Sequence, residues 1–308
     1  MNSNGIHYIH NAPESIVSKL VKRYLLSIDR KTSLLRIFET GKFNHEPAPI
    51  PKKLDKYNAI DTHYVHNRPV WVLKPRGRKS DNYIFFSHGG GHLNNITKHH
   101  WNMIYFLQKQ TNAIFIVPDY PLLPKHNYKH TYEMIEDAFN QVVAPLNPTN
   151  LTFMGDSAGG AISLTLAQIL RDRQATLQPK DIILITPELD AYELHKDTPK
   201  YEKHDVMLTG AIFDLISPHY VGDCPRDHFL VSPARGNLDS IGKISIFTAT
   251  HDIMHPYARD FKQRLLHENR EFNYFEYPKM IHVWTAITFM KEARHALRQM
   301  SNIINQSK

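Results

Sequence analysis

A single cysteine, Cys224, is all the bridging capacity this sequence of 308 residues has. It cannot close an internal disulfide, which excludes a crosslinked scaffold and fits a reducing compartment. Glycine is sparse as well, with 13 residues and no period, so a collagen-like fibre is excluded. No run of about 18 apolar residues occurs, so no integral membrane segment is expected. The start, Met1-Asn2-Ser3-Asn4-Gly5-Ile6-His7, is polar. It lacks a cationic head and an apolar block, and is not expected to be a secretory signal. On these absent signals the expected location is cytoplasmic. Internal repeats and low-complexity tracts are missing too. The histidine pairs His99-His100 and His251/His255 lack a third ligand in a zinc pattern, so no metal is expected.

What is present is a globular composition. The chain is 42% hydrophobic, 22% charged and 11% aromatic, which is inconsistent with disorder. It is long enough to bury a large core in one α/β unit. The net charge of +7 raises the question of nucleic acid as a partner. The charges are spread out, however. The one dense run, Lys74-Pro75-Arg76-Gly77-Arg78-Lys79, reads as an exposed loop with no nucleic-acid motif beside it. No nucleic-acid partner is expected.

The first 45 residues read as helical. Pro13-Glu14-Ser15 is a helix start, and Ile16, Leu20, Val21, Tyr24 and Leu25 follow at helical spacing. The proline-rich connector Glu46-Pro47-Ala48-Pro49-Ile50-Pro51 then breaks the pattern. From about residue 60, eight short apolar runs appear, at 62–65, 70–73, 83–86, 113–117, 151–154, 182–185, 244–248 and 272–277. The first two have no helix between them and suggest a hairpin. The later ones alternate with helical patterns, which predicts a mostly parallel sheet covered on both faces. Residues 188–230 carry no clear strand and read as an insertion over the carboxyl edge of the sheet, where ligands bind in such folds.

The strongest local motif is Gly155-Asp156-Ser157-Ala158-Gly159-Gly160, between the strand 151–154 and the helical run 161–173. A strand-to-helix turn of this kind leaves no room for side chains two positions either side of its serine. Gly155 and Gly159 meet that demand, and Ser157 projects as a nucleophile. The second motif, His88-Gly89-Gly90-Gly91, follows the strand 83–87. Successive glycines allow positive φ and close approach of backbone N–H groups. A tetrahedral intermediate needs such donors at its oxyanion. The candidates are the N–H groups of Gly90, Gly91 and Ala158.

A serine hydroxyl needs a base, and the base needs an orienting carboxylate. In this motif class the order along the chain is serine, acid, histidine. Asp252 lies just past the run 244–248, and His282 just past 272–277. Both therefore belong at the edge that carries Ser157. The sequence has 20 histidines. His251 and His255 are the rivals of His282, but they share the loop of the acid. Asp260 and Glu276 rival Asp252, but read as helix and strand interior. Asp156, beside the nucleophile, reads as structural.

Together these motifs resemble the hormone-sensitive-lipase branch of the α/β-hydrolases, over residues 60–300. Asp119-Tyr120-Pro121-Leu122-Leu123-Pro124 and Thr186-Pro187-Glu188-Leu189-Asp190 are similar to further family segments, with Leu123 in place of alanine and Lys125 in place of glutamate. Ser232-Pro233 recurs as in the family. His92 stands where the family often has an aromatic residue. The resemblance implies an α/β-hydrolase fold: an eight-stranded, mostly parallel sheet flanked by helices, with a helical cap. It assigns residues 1–55 and 188–230 to the cap, and 56–187 with 231–308 to the core. It implies hydrolysis of small-molecule carboxylic esters with short-to-medium acyl chains and no cofactor. It gives His88 a bracing role in the oxyanion loop. An amidase or a deacetylase of small molecules or sugars remains an alternative on the same site. A non-catalytic small-ligand receptor is a further one, although such a protein usually lacks a triad member. A homodimer is left open.

Overall fold

The computed structural model describes residues 5–306. The first four residues of the polar start therefore lie outside the described residues. Nine strands form one sheet: β1 (His7–Ile9), β2 (Asn58–Val65), β3 (Arg68–Pro75), β4 (Asn82–Ser87), β5 (Ile114–Pro118), β6 (Asn150–Asp156), β7 (Asp181–Ile185), β8 (Lys243–His251) and β9 (Phe272–Ile281). Their spatial order is β1-β9-β8-β7-β6-β4-β5-β3-β2. The hairpin β2–β3 is antiparallel, and β3 pairs antiparallel with β5. Every other pairing is parallel.

All eight apolar runs are strands. The expectation of eight strands is corrected by β1, which adds to the outer edge of β9 through His7–Ile9. The sequence pattern predicts helix here, and the structure has strand. Three residues are too few to show a period of two, and an edge strand is specified by its partner rather than by its own pattern. Helix begins where the sequence signals it. Ser15 caps the helix Ile16–Ser27, its Oγ accepting from the Ser18 N–H at 3.1 Å.

Strand side chains alternate between two cores. Phe85, Phe153, Ile182, Leu184 and Ile246 face one side, against helices that include Ala158–Asp172 and His255–His267. Ile84, Phe86, Met154, Ile183 and Phe247 face the other, against Lys98–Thr111 and Lys291–Gln306. A parallel sheet covered on both faces gives this near-continuous apolar strand sequence. Each fully buried side chain of this size contributes about 1.5–3 kcal/mol. Residues 188–230 form three short helices, Thr198–Glu202, Ile212–Leu215 and Ser217–Val221, and no strand. No helix among the described residues is long and apolar enough to cross a membrane.

Candidate active site

The carboxyl ends of β6, β8 and β9 bring three predicted side chains together. Ser157 sits between β6 and the helix Ala158–Asp172 with φ 53° and ψ −123°. That conformation is strained for a residue with a side chain. Backbone hydrogen bonds hold it. The Ser157 N–H donates to the Ile185 carbonyl at 2.9 Å, and the Ser157 carbonyl accepts from the N–H groups of Gly160 at 2.9 Å and Glu188 at 3.1 Å. The flanking glycines are required by contact. A Cβ on Gly155 would lie 2.1 Å from the Gly159 carbonyl oxygen, and one on Gly159 would lie 2.0 Å from that of Ser87.

Ser157 Oγ lies 2.8 Å from His282 Nε2, and His282 Nδ1 lies 2.9 Å from Asp252 Oδ2. All three residues are buried. Burial alone would lower the His282 pKa, but the charge and hydrogen bond of Asp252, with the charges of Asp205 and Asp156, outweigh it and raise the pKa. The other oxygen of Asp252 accepts from the Met254 N–H at 2.9 Å. The rivals lie elsewhere. His251 stacks on His204, and His255 Nδ1 meets Thr248 Oγ1 at 3.1 Å. Asp260 is on the helix His255–His267 and meets His195, while Glu276 is within β9.

The loop after β4 faces this group. Gly90 and Gly91 have φ of 143° and 62°, so the triple glycine serves its backbone geometry. Among the described residues the N–H groups of Gly90, Gly91 and Ala158 have no acceptor. The His88 ring is stacked on Tyr120 with centroids 4.4 Å apart, and its carbonyl accepts from the Tyr120 hydroxyl at 2.5 Å. Burial, then the neighbouring His100, push the His88 pKa down to about 3. Both effects disfavour the charged form of His88, and its contacts with Tyr120 join the glycine loop to the segment after β5. A Cβ on Gly89 would lie 2.3 Å from Asp156 Oδ2. That carboxylate accepts from His100 at 3.3 Å. Asp156 is thus buried beneath the loop, against Gly89 and His100.

Two residues were not picked out by the sequence. Asp205, in the 188–230 segment, is buried beside Asp252. Its Oδ1 accepts from Met207 and Leu208 N–H at 2.7 and 2.9 Å, and its Oδ2 accepts from the Ile253 N–H at 2.9 Å. Burial, followed by the charge of Asp252, pushes its pKa up to about 7. No local motif marks such a residue, because its partners are more than 40 positions away in part. Glu188 is the second. It lies three residues past the end of β7 and forms a buried pair with His92.

These groups open into a cavity of about 750 Å³ lined by Gly90, Gly91, Ser157 and His282. Its outer walls include Val21 and Leu34 from the N-terminal helices, Met207 and Leu208 from the 188–230 segment, and Ile287 and Phe289 after β9. The lining is chiefly apolar, as in small-molecule sites. No group of three metal-ligating side chains occurs among the described residues.

The fold matches that of known proteins. A profile of the α/β hydrolase fold matches residues 84–286. An esterase of Acinetobacter venetianus is 27% identical over 209 residues, 65% of this chain and 68% of its own length. An acetyl-hydrolase of Streptomyces hygroscopicus is 26% identical over 221 residues, 71% of this chain and 73% of its own. Among solved structures, a candidate esterase from Staphylococcus aureus superimposes with a TM-score of 0.81 at 24% identity, covering 93% of this chain and 98% of that one. A bacterial esterase described as belonging to the hormone-sensitive lipase family also reaches 0.81, at 18% identity and 96% and 99% coverage. With the profile spanning most of the sheet and both glycine motifs, the chain belongs to the α/β hydrolase fold family.

Proposed function

We propose that this chain hydrolyses carboxylic esters of small molecules through an acyl-enzyme on Ser157. Ser157 Oγ attacks the ester carbonyl while His282 Nε2 takes its proton. Asp252 holds the imidazole through Nδ1 and stabilises the imidazolium. The carbonyl oxygen, now an anion, receives hydrogen bonds from the N–H groups of Gly90, Gly91 and Ala158. The intermediate collapses, the C–O bond to the alcohol breaks, and His282 returns the proton to the leaving oxygen. Water then attacks the acyl carbon with His282 again as base, releasing the acid and free Ser157. Residues 5–55 and 188–230 act as the cap, whose apolar side chains bound the acyl and alcohol groups.

One observation carries this reading: the continuous 2.8 and 2.9 Å contacts from Ser157 through His282 to Asp252, opening into a cavity with unpaired backbone donors. The esterase and acetyl-hydrolase names of the relatives support an ester substrate. Nitrophenyl esters from acetyl to dodecanoyl test it. Turnover by the wild-type protein that Ser157→Ala removes is expected, with the preferred chain reporting the pocket. A folded protein inert on the whole series would overturn it.

A further inference from the structure

The substrate cavity is chiefly apolar, yet one charged side chain in its wall has no counter-ion. Arg30 opens the short 3-10 turn Arg30–Thr32, between the two N-terminal helices. It lines the same cavity as Ser157 and His282. Among the described residues its one side-chain hydrogen bond goes to the Ser33 hydroxyl. Among the described residues no carboxylate lies within ion-pair distance of it. The charge of Asp205 reaches it only across space, and Asp205 already accepts three backbone N–H groups.

The cavity is biased in sign as well. Lys98 joins Arg30 in its lining. Among the described residues the one carboxylate there, Asp156, is buried under the glycine loop and engaged by His100. A partly desolvated guanidinium without an ion partner is costly. Burial disfavours its charged form here. A ligand anion recovers that cost, and the planar fork of arginine suits a carboxylate or phosphate oxygen pair.

We propose that Arg30 is a specificity-determining residue that binds an anionic group on the substrate, so the preferred esters carry a carboxylate or phosphate away from the scissile bond. This rests on the ester-hydrolase reading for its chemistry, but the binding claim stands apart from turnover. Arg30 does not take part in the bond changes. It holds one end of the substrate while Ser157 attacks the other.

Two matched pairs test it, because the anion can lie on either side of the ester. One pair is nitrophenyl hexanoate and the nitrophenyl monoester of adipic acid, which differ by a carboxylate on the acyl chain. The other is the acetate esters of hydroxybenzamide and of hydroxybenzoate, which differ on the alcohol side. The readout is the ratio of kcat/KM, acid over neutral, in wild type, Arg30→Gln and Arg30→Lys. In at least one pair the ratio is expected to fall about tenfold or more in Arg30→Gln, the range for one charge-assisted hydrogen bond, and to recover in part in Arg30→Lys. Calorimetry on Ser157→Ala with the same four esters reads binding without turnover, and the acid is expected to bind about tenfold tighter.

If Arg30 merely supports the turn, both members of each pair fall together and the ratio is constant. That result, or equal binding of acid and neutral ester to Ser157→Ala, overturns the proposal. Inertness of the folded wild-type protein towards all four esters overturns the hydrolase reading instead, and the calorimetry then still decides the anion site.

Discussion

His92 Nε2 lies 2.8 Å from Oε2 of Glu188, and the pair is buried directly behind the glycine loop and the Ser157 turn. The His92 ring is stacked on Tyr220 with centroids 3.5 Å apart. The Glu188 N–H in turn donates to the Ser157 carbonyl. One side-chain contact therefore ties the donor loop, the nucleophile turn and the 188–230 segment together. It also accounts for a histidine at the position after the glycines. A phenylalanine there would stack on Tyr220 but leave the Glu188 carboxylate without its partner.

His92→Phe should destabilise the fold by about 3–5 kcal/mol, the cost of stranding one member of a buried pair. Adding Glu188→Gln should recover much of that loss, since an amide is far less costly to bury than an unpaired carboxylate. Urea denaturation of the two variants measures this. Equal stability of the single and double variants would refute the coupling.

On the mechanism proposed above, the acid limb of the pH profile follows from His282. The base must be neutral to accept the serine proton, so activity falls as pH drops through its pKa. Asp252 raises that pKa, which places the limb above the ordinary histidine value. Asp252→Asn should lower the rate by about 10⁴-fold and move the residual acid limb to lower pH. A limb that stays in place in this variant would assign it to another group.

Asp205 carries a stability prediction with a definite sign. Its folded pKa is pushed up to about 7 from 3.8, so the native state holds its proton over a range where the unfolded chain has lost it. Stability from this group is full below about pH 4 and is lost as pH rises towards 7. Thermal melts across that window should show wild type losing Tm from this source, and Asp205→Asn showing a flatter profile. Parallel profiles for the two proteins would contradict the assignment.

The glycine turn allows no substitution. In Gly159→Ala the new Cβ meets the Ser87 carbonyl at 2.0 Å, so β4 and the helix Ala158–Asp172 must separate. Overpacking of this kind costs about 1–3 kcal/mol, and the shift also moves Ala158 away from the glycine loop. A lower Tm with loss of ester turnover is expected. Gly77→Ala, whose Cβ meets nothing within 4 Å, is a control limited to the backbone strain of φ 66°.

The sheet was legible in the sequence because each of its eight longer strands carries its own apolar run, bounded by turn residues. The strand-to-helix turn at Ser157 was legible because its glycines are a local steric demand. The strand His7–Ile9 was not, since its hydrogen bonds belong to a partner 267 positions away in the register His7 to Tyr274. Asp205 was not either. It stands in a stretch of scattered charges, and although it accepts locally from Met207 and Leu208, its place beside Asp252 appears only when folding brings the Ile253 N–H to it.

By itself the sequence determined the sheet's alternation, the two glycine-built turns, and the order of serine, acid and histidine along the chain. Those features depend on neighbours within a few residues, through strand periodicity, turn sterics and backbone φ. Tertiary structure alone decided which charges are buried and with whom. His92 meets Glu188, Asp205 meets the Asp252 loop, and Arg30 faces the cavity without a carboxylate. A side chain's cost or use in a low-dielectric wall is set by what folding places beside it, and no spacing along the chain encodes that.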